Sequence, residues 1–175
     1  MHRACSPERS CVVARPFDPE RLLRALARHR VDYVLIGAVA ARLQGFPRMT
    51  ADADITPADS ASNLQRLAKA LRELHARVYT ESVPDGLEFD CSGASLGRAA
   101  IWNLVTDAGR VDVIHRPAGT AGYDDLLRSA VAFEAFGVTL VAASLPDILR
   151  SKRASGRPQD LADAEILEEM LRARL

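Results

Sequence analysis

Asp52 and Asp54 stand two positions apart in the run Arg48-Met49-Thr50-Ala51-Asp52-Ala53-Asp54-Ile55. In an extended chain positions i and i+2 share a face, so both carboxylates point one way while Ala51, Ala53 and Ile55 point the other. Paired hard oxygens suit Mg²⁺, which commonly completes its shell with substrate phosphates. An Asp-x-Asp pair alone is common on solvated strands. Here the alternating small apolar residues place the strand inside a sheet, where two like charges repel and are costly without a cation.

Upstream, Leu35-Ile36-Gly37-Ala38-Val39-Ala40 reads as a buried strand running through a glycine into a helix. That arrangement seats anions: glycine lets phosphate oxygens approach the backbone, and the free N–H groups of the helix start favour negative charge. Downstream, Asp112 sits among valines in Gly109-Arg110-Val111-Asp112-Val113-Ile114. It is either a third site acid or an ordinary acid on an edge strand. Three carboxylates meeting beside an anion seat suit two-metal phosphoryl or nucleotidyl transfer. A carboxylate then accepts the proton of an attacking hydroxyl, and two metal ions steady the attacking and leaving oxygens.

These residues need elements to hold them. Asp18 and Pro19 open a first helix as N-cap and first helical residue, with Leu22, Leu23, Leu26 and Ala27 on its apolar face. Strands are expected at Val31–Ile36 and Ala51–Thr56, with a short helix Ala38–Leu43 between them. Asp59 is expected to cap a helix reaching His75, with Leu64, Leu67, Leu71 and Leu74 facing the core. Short strands near Val78 and at Leu87–Phe89 precede two longer ones, Ala100–Thr106 and Arg110–His115, joined by an Asp107-Ala108-Gly109 turn. A short helix at Tyr123–Ser129 and a hairpin of Val131–Ala135 with Val138–Ala142 follow. Ser144 with Asp147 starts a helix to Arg153, and Pro158 opens the last helix, expected to turn Leu161, Ile166, Leu167 and Leu171 inward. The order predicts an α/β (α+β) fold: a single domain with a mixed β-sheet, flanked by helices, with C-terminal helices packed on it. Residues 1–16 read as a flexible tail and 17–175 as the domain.

Three segments together, Gly37-Ala38, Arg48-x-Thr50-x-Asp52-x-Asp54 and Arg110-Val111-Asp112-Val113, resemble the nucleotidyltransferase-fold superfamily. The resemblance is closest to its minimal prokaryotic branch, which includes abortive-infection toxin nucleotidyltransferases and related uncharacterised proteins. The run Ser151 to Asp163, with Lys152, Gly156, Pro158 and Asp160, is similar to the part of that branch that opens the last helix. The likeness spans roughly residues 20–170. It implies a sheet of the nucleotidyltransferase type and a nucleoside triphosphate as substrate. Gly37 and Ala38 then lie at the triphosphate, Asp52, Asp54 and Asp112 hold two Mg²⁺ ions, Lys152 reaches the phosphates, and Asp160 is oriented near it.

The residues themselves leave some of this open. Lys152 near a helix end is equally a solvated partner of the helix dipole, and Asp160 equally a first-turn acid. Arg48 either binds phosphate bidentately, alongside Thr50, or pairs with Asp52 or Asp54. Asp163 reads as surface. The superfamily usually has Gly-Gly or Gly-Ser where this chain has Gly37-Ala38, which removes a hydroxyl and keeps the backbone N–H.

The expected reaction is Mg²⁺-dependent transfer of a nucleoside monophosphate to an acceptor hydroxyl on an RNA end such as tRNA, a protein or a small molecule. A toxin role with a cognate antitoxin is implied by the resemblance alone. The alternative is a non-catalytic nucleotide- or partner-binding member of the fold, a sensor or antitoxin-like module. With 23 basic and 23 acidic residues the chain has zero formal net charge, against a duplex-DNA clamp. No run approaches the roughly 18 apolar residues of a membrane span, and no signal-peptide core is evident, so a cytoplasmic location is expected. Cys5, Cys11 and Cys91 form no Cys-x-x-Cys pair and read as reduced thiols. His29, His75 and His115 lack metal-ligand spacing and are not read as functional, although His115, following the Asp112 strand, could touch substrate. Trp102 reads as core.

Overall fold

The computed structural model describes residues 16–174; Cys5, Cys11 and the expected tail, apart from Pro16, lie outside them. In chain order the elements are α1 (Pro19–Arg28), β1 (Tyr33–Ile36), α2 (Gly37–Leu43), β2 (Asp52–Pro57) and α3 (Ala61–Glu73). Then come β3 (Arg77–Thr80), β4 (Val83–Leu87), α4 (Gly93–Leu96), β5 (Ile101–Thr106) and β6 (Gly109–Ile114). The chain ends with α5 (Tyr123–Leu127), β7 (Val131–Ala135), β8 (Val138–Ala142), α6 (Leu145–Ser155) and α7 (Pro158–Arg172).

Local chemistry sets most boundaries as expected. The Asp18 carboxylate accepts from the Arg21 amide at 2.9 Å to cap α1, and Ser144 accepts from the Asp147 amide to cap α6. Gly156, at φ +67°, ends α6 in the left-handed conformation. At α3 the cap is Ser60, which accepts from the Asn63 amide; Asp59 instead pairs with His115. The short α4, capped by Ser92, is absent from the sequence reading because a four-residue helix carries too little periodicity to register.

Among the described residues, eight strands join one mixed sheet in the order β4-β3-β5-β6-β2-β1-β8-β7. β1 runs antiparallel to β2, β2 parallel to β6, and β6 antiparallel to β5. Both aspartate strands are therefore internal, and Asp112 is not on an edge. One face carries Ala53, Ile55, Leu104, Val111 and Val113, all buried in a continuous core with Leu22 and Leu26 of α1 and Leu67 and Leu71 of α3. That face fixes the register, because a one-residue slip would bring the aspartates into the core. α2 packs against β1, β2 and α6, and α6 against α7. The result is the expected α/β domain with C-terminal helices packed on it.

The last helix departs from the expected face. Its buried positions are Asp160, Asp163, Ala164 and Leu167, with Leu171 half-buried, while Leu161 and Ile166 are exposed. Spacing of three, four and seven is a helical stripe that begins with two acids; Lys152 is what draws them inward. No helix among the described residues is long and apolar enough to cross a membrane.

Candidate active site

Register places the acids. Ile36, Asp54, Asp112 and Asn103 form one row across β1, β2, β6 and β5, and Asp52 lies one pleat along, opposite Arg110. Asp54 and Asp112 are thus nearest neighbours on parallel strands, pointing away from the core face. All nine residues expected at the site (Gly37, Ala38, Arg48, Thr50, Asp52, Asp54, Asp112, Lys152 and Asp160) line one open cavity of about 1230 Å³. Also in its lining are Asn103, Ile101, Ile114, Arg157 and Gln159.

Gly37 turns from β1 into α2 at φ +66°, and α2 has no side-chain cap. A Cβ added there would overlap Oδ2 of Asp54 and stand 2.9 Å from its Cγ. The glycine therefore admits the Asp54 carboxylate against the backbone of the helix start. Burial, then repulsion from Asp52 and Asp112, push the Asp54 carboxyl up to about 7, against the opposing pull of Lys152 and Arg157. Asp112 is raised for the same first reason, opposed chiefly by Arg110, and its buried Oδ1 has no hydrogen-bond partner. Asp52 accepts from the Thr50 hydroxyl.

These acids fit a divalent ion by chemistry: hard oxygens, mutual repulsion and an orphaned acceptor call for a cation. They are not, however, a finished cage. Among the described residues no three His, Cys, Asp or Glu side chains are close enough together to hold a metal ion. What the structure brings together is thus the strands and the face: Asp54 level with Asp112, and Asp52 one pleat along. One or two carboxylates per ion, completed by substrate phosphates, is the coordination such a wall allows.

The facing wall is cationic and internally paired. The Lys152 ammonium, with its side chain 10% exposed, lies 3.0 Å from Asp160 Oδ1 and 2.7 Å from Asp163 Oδ2. Asp160 also accepts from Ser155 and Arg157, each at 2.6 Å. Burial raises its carboxyl, yet these hydrogen bonds and that from Lys152 outweigh it and hold the group at about 2. Arg48 pairs with neither Asp52 nor Asp54. Its guanidinium lies 3.4 Å from Asp163, and Gln159, with its amide oxygen toward Arg48, accepts from it as well. Asp163, expected at the surface, is 4% exposed at its side chain. Its three-residue offset from Asp160, in line with Ala164 and Leu167, was the signal that could have found it.

Other side chains serve the frame. The His115 ring lies between Asp59 and the Leu96 carbonyl. Trp102 donates to the same carbonyl and packs on Phe89, its ring centroid 5.1 Å away. Arg110 lies over the Tyr79 ring.

No family model matches the chain, and no curated protein does. Solved structures do. A proposed nucleotidyltransferase from Thermotoga maritima matches at 18% identity and a TM-score of 0.47, over 90% of this chain and 97% of that one. The antibiotic-resistance factor ANT(2'')-Ia matches at 17% identity and a TM-score of 0.48, over 88% of this chain and 89% of that one.

Proposed function

We propose that this protein transfers a nucleoside monophosphate from a nucleoside triphosphate to an acceptor hydroxyl, with Mg²⁺ as cofactor. One observation carries the reading: Asp54 and Asp112 stand in register on adjacent strands, with Asp52 beside them, across one cavity from Lys152 and Arg157. An acidic wall holds cations and a basic wall holds phosphates, so the cavity is matched to a metal-bound triphosphate.

Bound Mg²⁺ would polarise the phosphoryl oxygens and offset the charge that develops on the leaving pyrophosphate. The chain's own groups do the rest. Asp112, with an unpartnered oxygen, accepts the proton of the acceptor hydroxyl. The hydroxyl oxygen bonds to the α-phosphorus, the bond from that phosphorus to the bridging oxygen breaks, and pyrophosphate departs toward Lys152 and Arg157. Asn103, in register with Asp112, and the neighbouring pair Ile101 and Ile114 form the surface beyond the acids, on which the acceptor rests.

A second reading keeps the binding and drops the turnover. Ala38 supplies no hydroxyl, and Lys152 is held by two carboxylates. One experiment separates the two. Incubation with each α-³²P nucleoside triphosphate, Mg²⁺ and total RNA or cell extract should label a macromolecule or small molecule. The label should vanish with EDTA and in Asp52→Ala, Asp54→Ala and Asp112→Ala proteins that remain folded. Triphosphate binding without any label selects the second reading, and absence of both binding and label rejects both.

A further inference from the structure

Asp163, expected at the surface, lies buried behind the cavity wall, and its surroundings give it a task. It is the point where three elements meet: it sits on α7, takes the ammonium of Lys152 from α6, and takes the guanidinium of Arg48 from the segment leading into β2. A buried ammonium needs a counter-charge close by. Asp160 is only part of that charge, because its other oxygen is already committed to Ser155 and Arg157. Asp54 lines the same cavity, and Lys152 pulls its carboxyl downward.

We infer that Asp163 is a positioning residue that keeps Lys152 on the phosphate wall and off the metal-binding aspartates. The inference rests on the transfer reading for its purpose, and on the geometry alone for its existence. With Asp163 in place, the ammonium is satisfied on its own side, and Asp54 stays available to a divalent ion. Without it, Lys152 crosses to Asp54 and competes with the metal for the same carboxylate. Arg48, released at the same time, keeps only Gln159 as its hold on α7.

The test uses the full chain and Asp163→Asn, which keeps size and removes charge, with thermal unfolding to confirm that the variant is folded. In a metal-free crystal structure of that variant, the Lys152 Nζ should lie within hydrogen-bonding distance of the Asp54 carboxylate. Mn²⁺ binding followed by electron paramagnetic resonance, and calorimetric binding of inorganic tripolyphosphate with Mn²⁺, should each weaken about ten-fold. Adding Lys152→Met should restore Mn²⁺ affinity to near that of the wild type, because the competing ammonium is gone, while tripolyphosphate stays weak. A merely structural role predicts the opposite, a double variant that binds Mn²⁺ no better than the single one. Lys152 remaining on Asp160 in the variant structure, with Mn²⁺ affinity unchanged, overturns the inference. Should the wild type bind neither Mn²⁺ nor tripolyphosphate, the transfer reading fails, and the position of Lys152 in the variant still decides this one.

Discussion

The Asp54 carboxylate rests where the side chain of residue 37 would be, so the glycine at the start of α2 and the second aspartate of β2 are two halves of one contact. The register Ile36 to Asp54 makes this unavoidable, since the residue after Ile36 must pass beside that carboxylate. Gly37→Ala has two costs: positive φ strain of about 1–2 kcal/mol and displacement of Asp54. Urea unfolding should show the first, and a loss of transfer of about 100-fold or more the second. A variant as active as the wild type would show that Asp54 need not sit there.

Removing repulsion should stabilise the metal-free protein while abolishing the proposed transfer. Asp54 is buried against Asp52 and Asp112, so Asp54→Asn relieves a like-charge contact. A gain of about 1 kcal/mol corresponds to a Tm increase of roughly 2–4 °C in a chain of this size. Calorimetry without metal checks the sign; a lower Tm in the variant refutes the account of strain at this wall.

Asp160 makes stability depend on acid. Its carboxyl is held at about 2 in the folded protein against roughly 3.9 when unfolded, so the unfolded chain binds more protons between these values. Its contribution is complete above about pH 4 and lost as pH falls toward 2. The stability gap between wild type and Asp160→Asn, measured in urea at pH 5.5 and again below pH 3, should therefore narrow. A gap that does not change with pH would mean that the hydrogen bonds from Ser155, Lys152 and Arg157 do not favour the ionised form.

Lys152→Ala should be more damaging than a surface lysine change. It leaves Asp160 and Asp163 without the ammonium between them, and breaking a buried pair costs about 3–5 kcal/mol. Lys69, outside any such cluster, provides the control, with an effect within about 0.5 kcal/mol on the same urea curves.

On the surface proposed for the acceptor, Ile101 is 54% exposed beside Ile114 and close to Asn103. Once the acceptor is known, Ile101→Ala should raise its KM about ten-fold and leave that of the triphosphate within a factor of two. An equal rise for both substrates places the acceptor elsewhere.

Much was legible before any coordinates. The Asp-x-Asp pair, the valine-flanked Asp112 and the strand into Gly37 each follow from alternation and glycine chemistry, and capping side chains marked the starts of α1 and α6. The misreadings share a cause. Asp59 and Ser60 are both good caps, and only His115, brought from 56 residues away, takes Asp59 out of the competition. Asp163 was read as surface because buried carboxylates are rare, and nothing local announces that Lys152 will be buried opposite it.

The sequence by itself determined which faces are apolar, hence that Asp52, Asp54 and Asp112 lie on strand faces turned from the core, and that a glycine leads from a strand into a helix. Only the tertiary structure decided that β6 lies beside β2, with Asp112 level with Asp54, and that α6 and α7 bring Lys152, Asp160, Asp163 and Arg48 into one paired group. Periodicity is a property of neighbours along the chain and survives in the sequence. Pairing between distant carboxylates, ammonium and guanidinium groups depends on which elements meet, and that is set by how the whole core closes.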